Sequence, residues 1–421
     1  MSRLRLVAAK VAATSLFRDV ALFFLLTLAA CAPAITASPT PTPIPPTNTP
    51  IPTATASPTP TPTATLTPSP TATPTITPTP PVINPLTGLA VADPAVLERR
   101  PVAIKVAHFP RRVREYQLGL SLADNVWEHY AEGGVTRFTA IFLSQSPEKV
   151  GNVRSARLID AYLGEAYQAM LVASGSSQGT LDRLSQTDFY DRVIAEATGY
   201  SDCPLLCREE AADLTTDKLY TSPVAIWQLA TELKLNGRQD LSGFVFNPAL
   251  PSGGVSATTI HLDFQLGNTV AEWRYDPATQ AYARWVDTAS LPSLDPHLDV
   301  ATGQPITAAN VVVLYVLHFA TNVREDEHGQ HFGYDVLLTG SGPARLFRDG
   351  LMYDLTWMRG DASAGLPRFV DAAGQVVPFR PGNTWFDVLS SDSPTTFDAS
   401  QGVFSARFKA PKPLPTATPT P

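Results

Sequence analysis

The chain has 421 residues and a formal net charge of −7, from 31 basic and 38 acidic side chains, a balance that argues against a nucleic-acid partner. Hydrophobic residues make up 44%, enough for a sizeable core, while most of the 40 prolines fall in two terminal stretches that cannot contribute to one. The middle therefore carries an ordinary globular composition.

The N-terminal "MSRLRLVAAKVAATSLFRDVALFFLLTLAAC" reads as a signal peptide over residues 1–31. Arg3, Arg5, Lys10 and Arg18 form a positive leader, and the apolar run Val20 to Ala30 is shorter than the roughly 20 residues a membrane-spanning helix needs. It ends in Leu28-Ala29-Ala30-Cys31, which resembles a bacterial lipobox, so Cys31 is expected to become the acylated first residue of the mature chain. The alternatives are an uncleaved anchor and a plain secretory signal. Each buried methylene of an acyl chain contributes about 0.8 kcal/mol, so several chains hold a protein firmly to a membrane.

Residues 32–81, "APAITASPTPTPIPP…TPTPP", form a Pro/Thr-rich stalk. Proline fixes φ and removes backbone donors, so a disordered, largely polyproline II chain is expected, reaching on the order of 150 Å when stretched. Its Thr and Ser residues invite O-glycosylation. The tail, residues 411–421, repeats the composition and is expected to be disordered.

Between these lies material for two domains. Residues 82–242 predict an N-terminal α/β domain: a strand at Val102 to Val106, a helix or strand in "SLADNVWEHYAEGG", a strand from Thr136 to Leu143, a helix from Leu158 to Ala169 and a short strand at Met170 to Ala173. Further helices are expected at Thr180 to Ser185 and Pro223 to Leu233. Residues 243–410 predict a mostly antiparallel β domain, with hairpin turns at Asp276-Pro277, Asp349-Gly350 and Ala373-Gly374. The fold class is thus α+β. Cys203 and Cys207, in "DCPLLC", are four apart in one loop; a local disulfide suits an oxidising exterior, the rival being half of a metal site.

The runs "NPLTGL", "RRPVAIKV", "GLSLADNVWEHYAEGGVTRF", "EKVGNVRSAR" and "LYTS", followed by "ITAANVVVLYV", "ARLFRDG" and "GNTWFDV", resemble the YerB-like lipoprotein family over nearly the whole globular region. The resemblance implies two domains of unknown function, lipid-anchored or secreted. This chain departs from the family pattern at Ala107-His108, where members carry Asp-Asn, at Ala173, where they carry His, and at Thr216-Asp217-Lys218, where they carry Pro-His-Asn. A chemistry that used either of those imidazoles is lost here, which favours binding over catalysis.

The residues that draw most attention are Arg154 and Arg157, at the expected start of a helix. A helix start is already electropositive, so cations there call for an anion. With Ser155 or a neighbour as N-cap, and Arg137 on the neighbouring strand, three guanidinium groups suit a phosphate, pyrophosphate or carboxylate. The partners expected are the membrane, through the N-terminal lipid, and an anionic envelope glycopolymer or lipid phosphate. A loose analogy exists with the LytR-CpsA-Psr envelope enzymes, where arginines near a strand end hold a lipid pyrophosphate, so a phosphotransferase-like enzyme is the rival. The structural alternative pairs Arg157 with Asp160, and Arg154 or Arg137 with Glu132, Asp124 or Glu128. Glu132 itself reads as a general base or as a structural partner of the arginines.

Other motifs are weaker. "GSSQG", Gly175 to Gly179, matches a nucleophile elbow with Ser177 as nucleophile, but the later histidines lie in the second domain. Asp326, Glu327, His328 and His331 offer acidic and H-x-x-H ligands for a cation, or a solvated hairpin loop. Trp273, Tyr275, Tyr282 and Trp285 read as a carbohydrate platform or as cross-strand core pairs. No cofactor or resident metal is expected. A purely structural, partner-docking role for the β domain is the third class.

Overall fold

The computed structural model describes residues 81–209, 218–264, 269–290, 292–325, 331–360 and 365–412. The expected signal segment, Cys31, nearly all of the stalk, the tail beyond Lys412, and the motif residues Asp326, Glu327 and His328 lie outside the described residues.

Among the described residues, eleven strands join into one central sheet. Five come from the N-terminal half: β1 (Val102–Ala107), β2 (Asn125–Tyr130), β3 (Thr136–Phe142), Met170–Val172 and Val193–Ile194, in the spatial order β2, β3, β1, Met170–Val172, Val193–Ile194. The C-terminal half supplies a second contiguous block, in the order Arg368–Val370, Leu351–Arg359, Gly340–Arg348, Asn310–Val316, Thr384–Ser390, with Val255–Ser256 attached to Leu351–Arg359. The blocks meet where β2 runs parallel to Thr384–Ser390, Asn125 opposite Thr384 and Glu128 opposite Asp387. The two blocks therefore share one sheet across residue 242.

β1, β2 and β3 are buried at every position, as strands covered on both faces must be. The stretch left open between helix and strand is a strand, β2: Val126 and Tyr130 pack to one face and Trp127 to the other, a period of two. On the first face lies a second sheet of seven strands among the described residues, built from segments between Thr259 and Arg407. Ile260, Trp273, Tyr282 and Phe404 from it share one core with Val126, Phe138 and Trp385. On the opposite face lies α1 (Ile159–Ala166), whose Ile159 and Leu163 join Trp127, Ile141 and Phe386. Trp127 stacks on Phe386 with ring centroids 4.2 Å apart, so an aromatic contact spans the junction of the blocks.

Local chemistry explains several elements. The helices α2 (Gln178–Ser185) and α3 (Pro223–Glu232) form where expected, α3 with proline in its first turn, where a missing N–H is harmless. Asp349 and Gly350 take φ of 55° and 74° between Gly340–Arg348 and Leu351–Arg359, the left-handed pair of a two-residue hairpin. The hairpin at Asp276-Pro277 joins Val270–Asp276 to Ala281–Asp287. At Ala373-Gly374 the chain turns, but only an isolated bridge, Val370 to Val376, follows it. Cys203 and Cys207 are joined as a disulfide, their Cα atoms 4.6 Å apart.

Candidate functional site

β2 and β3 are joined by Ala131 to Val135, and both Gly133 and Gly134 lie in the left-handed region, at φ of 59° and 81°. A side chain at Gly133 would place its Cβ 2.9 Å from Nε2 of His331, so this turn is closely approached by the second half of the chain. The turn aims Glu132 back along the sheet toward Arg137 on β3 and Arg157 before α1.

Glu132 lies between the two guanidinium groups. Its Oε1 accepts from Arg137 Nη2 at 2.7 Å and from Arg157 Nη2 at 2.5 Å, and its Oε2 accepts from Arg157 Nε at 2.7 Å. Arg137 Nη1 also donates to the Ser155 carbonyl at 2.8 Å, and Arg157 Nη1 to the Ala156 carbonyl at 2.8 Å. Burial pushes the Glu132 carboxyl up, but Arg137 and Arg157 outweigh it and hold the group below its ordinary value. A carboxylate so held is a poor general base. Arg137, buried and next to Arg157, is lowered to about 9 despite Glu132, with Arg154 adding to the repulsion.

Two further groups reach this cluster from other elements. Glu325, after the His318–Arg324 strand, has its Oε2 3.3 Å from Arg157 Nη1 and accepts the Thr180 hydroxyl of α2 on Oε1 at 3.0 Å. Burial raises its pKa, with Arg157 opposing. Asp160, in the first turn of α1, accepts the Arg157 backbone amide at 2.7 Å and lies 3.1 Å from Nζ of Lys105. Lys105 Nζ also contacts His129 Nε2 at 2.6 Å and donates to Thr139 Oγ1 at 2.8 Å, all fully buried. Burial lowers the Lys105 ammonium to about 8, against the pull of Asp160. The same burial, reinforced by Lys105, keeps His129 far below its usual value.

This geometry corrects the expectation in three places. The anion expected between Arg137 and Arg157 is the chain's own Glu132. Asp160 bonds the Arg157 backbone and pairs with Lys105 rather than with the Arg157 guanidinium. Ser155 does not cap α1: the N-cap is Leu158, which contributes no side-chain bond. Arg154 sits one step out, partly exposed, its amide donating to the Lys105 carbonyl and its carbonyl accepting from Ser174.

Other candidates resolve into structural tasks. Ser177 caps α2, its Oγ accepting the Thr180 amide at 3.3 Å. Trp273 and Tyr282 are fully buried in the core, Tyr275 packs on Tyr282 at 5.2 Å, and Arg274 lies over Trp285 at 3.8 Å, as cross-strand packing rather than a platform. Asp124 accepts from Asn84 and from the Leu143 and Ser144 amides, and Glu128 faces Arg284 at 2.7 Å. Among the described residues, no group of three or more His, Cys, Asp or Glu side chains is arranged to hold a metal ion. Nor is any described helix long and apolar enough to cross a membrane.

Sequence reasoning missed Lys105, His129, Glu325, Arg284 and Asp387. One signal was present: Lys105 interrupts "VAIKVA" and Asp387 interrupts "TWFDVL", single charges inside runs too apolar for a solvated face.

Comparison with known proteins places the chain. Residues 86–236 match the N-terminal domain, and residues 260–386 the C-terminal domain, of the family described as "Protein of unknown function (DUF3048)". The chain is 28% identical over 324 residues to a Bacillus subtilis (strain 168) protein named "Putative lipoprotein YerB", covering 76% of this chain and 89% of that one. It is similar to the crystal structure of the Bacillus subtilis YerB protein with a TM-score of 0.60 and 29% identity, over 74% of this chain and 97% of that chain. With both domains matched in order and the fold shared, this chain belongs to the YerB-like DUF3048 family.

Proposed function

We propose that this chain is a membrane-tethered extracytoplasmic lipoprotein that binds an anionic cell-envelope component, a glycopolymer or a lipid phosphate, beside the Glu132 cluster. Arg154 is the contacting cation, backed by Arg137 and Arg157. The tethering rests on the lipobox at Cys31 and on the relative named as a lipoprotein; the stalk supplies reach. The observation that carries the ligand reading is the crowding of cationic side chains. Arg137 and Arg157 close on Glu132, and Arg154 adds its repulsion to Arg137, so guanidinium groups gather at one point. Clustered cations in a chain of net charge −7 draw anions to that point. Glu132 holds the two inner guanidinium groups in register, and the outer one meets the ligand.

The test is binding by the full chain in detergent to lipid pyrophosphates, teichoic-type polymers and peptidoglycan fragments. The reading requires that at least one binds and that Arg154→Ala weakens it while the thermal transition is kept. Equal affinities in both proteins for every probe defeat it.

A further inference from the structure

A second network lies on the opposite face of the central sheet, at the junction of the two blocks. Glu128 on β2 and Asp387 on Thr384–Ser390 are register partners on one face, both fully buried. Adjacent strands lie about 4.8 Å apart, so the two carboxyl groups confront each other. Glu128 is provided for: its Oε1 accepts the Thr136 hydroxyl at 2.7 Å and its Oε2 lies 2.7 Å from Arg284 Nη2. The Arg284 N–H is not aligned with that oxygen, so the contact is an ion pair rather than a directed hydrogen bond. Asp387 is poorly provided for: neither carboxyl oxygen receives a well-aligned hydrogen bond, and the neutral donor facing it is the Trp273 indole.

The charged and titratable groups facing the pair come from every element around it. Arg284 enters from the seven-stranded sheet, fully buried among the rings of Trp385, Trp273 and Phe138 at 4.8, 5.2 and 5.5 Å. Its Nε donates to His297 Nδ1 at 3.1 Å, and His297 contacts Gln117 at 2.5 Å. His108, after β1, has Nδ1 2.8 Å from Thr136 Oγ1. Arg111 and Arg114 are directed at Asp287. Burial, together with Arg114 for His108 and Arg284 for His297, keeps both imidazoles far below their ordinary values, so neither supplies the missing positive charge.

A carboxylate with no aligned donor, buried against a second carboxylate, is among the least favourable arrangements in a protein interior. One proton removes the difficulty, because a carboxylic acid donates where two carboxylates only accept. We infer that Glu128 and Asp387 hold one proton between them, forming an acid–carboxylate pair that joins the two blocks of the sheet and makes their junction proton-linked. The direction of the shift agrees: burial first, then Glu128, raise the Asp387 carboxyl well above its usual value.

The sign of the linkage follows. A carboxyl raised in the folded state binds its proton more tightly there than in the unfolded chain. The stabilisation it contributes is complete below the unfolded value near 4 and is lost as pH rises toward the folded one. Asparagine mimics the neutral acid, so Asp387→Asn lacks this loss.

The first measurement needs no variant: infrared spectra of the wild-type full chain at pH 7 show a protonated-carboxyl stretch that shifts in deuterium oxide. Asp387→Asn removes one carboxyl from the band, leaving any share from Glu325, whose carboxyl burial also raises. Between pH 5 and pH 9 the thermal midpoint of the variant gains on wild type, by about 2 °C per pH unit within the titration range. A wild type without a protonated carboxyl at pH 7, a band that Asp387→Asn leaves undiminished, or parallel midpoints across the range each overturn the inference.

Discussion

Glu132 grips Arg157 at two points, Oε1 to Nη2 at 2.5 Å and Oε2 to Nε at 2.7 Å, and shares Oε1 with Arg137. The fork-to-fork geometry fixes both guanidinium planes, and all three side chains are largely buried. Removing the carboxylate leaves Arg137 without its ion-pair partner and Arg157 with Glu325 alone, both desolvated. Glu132→Gln is expected to lower stability by roughly 3 kcal/mol, the scale for breaking a buried pair from one side. Lys149→Ala, which removes an exposed pair with Glu209, is expected to cost less than about 1 kcal/mol. Urea titration of the three proteins checks the contrast.

Gly164 gives a prediction opposite to helix propensity. Alanine within a helix ordinarily gains about 1 kcal/mol over glycine. Here a Cβ would lie 2.3 Å from Phe189 Cζ and 2.5 Å from Cε2, and Phe189 is itself fully buried. Gly164→Ala is expected to destabilise by about 1–3 kcal/mol, read from the thermal midpoint.

Ser177 separates a cap from a nucleophile. As the N-cap of α2, its loss in Ser177→Ala costs about 1 kcal/mol and leaves ligand binding intact. A serine-directed fluorophosphonate is expected to leave the wild type unlabelled. Stoichiometric labelling that Ser177→Ala abolishes would return the hydrolase.

Lys105 brings an alkaline window. Its ammonium is lowered to about 8 in the fold, against an unfolded value near 10.4. Between those values the unfolded chain holds the proton and the folded chain releases it, so this group makes stability rise with pH, by at most about 1.4 kcal/mol per unit. Lys105→Met leaves Asp160 without its ion-pair partner and is expected to be less stable at pH 7. It also loses that rise, which denaturant titrations at pH 8 and pH 10 measure.

Much of the fold was legible because its signals are local. Apolar alternation marked the strands of the second half, Asp349-Gly350 marked its turn, and the spacing of Leu158, Tyr162 and Leu163 marked α1. The shared sheet was not legible, since the pairing of β2 with Thr384–Ser390 joins residues more than 250 apart and leaves no local trace. At the site, Arg137, Arg157 and Glu132 stand out by residue type and position, and the fold brings their side chains together. Their pairing with one another is set by three-dimensional placement, which no local pattern carries. Glu325 and Lys105 came from outside the motif, and only the fold brings them there.

The proposal that the guanidinium cluster beside Glu132 receives an external anion is tested most directly by calorimetric titration of pyrophosphate into the full chain and into Arg154→Ala. Saturable binding is predicted, weakening as salt is raised and reduced at least about tenfold by the substitution, with the thermal midpoint retained. Absence of saturable heat in the wild type at low salt, or an affinity that Arg154→Ala leaves unchanged, would contradict it.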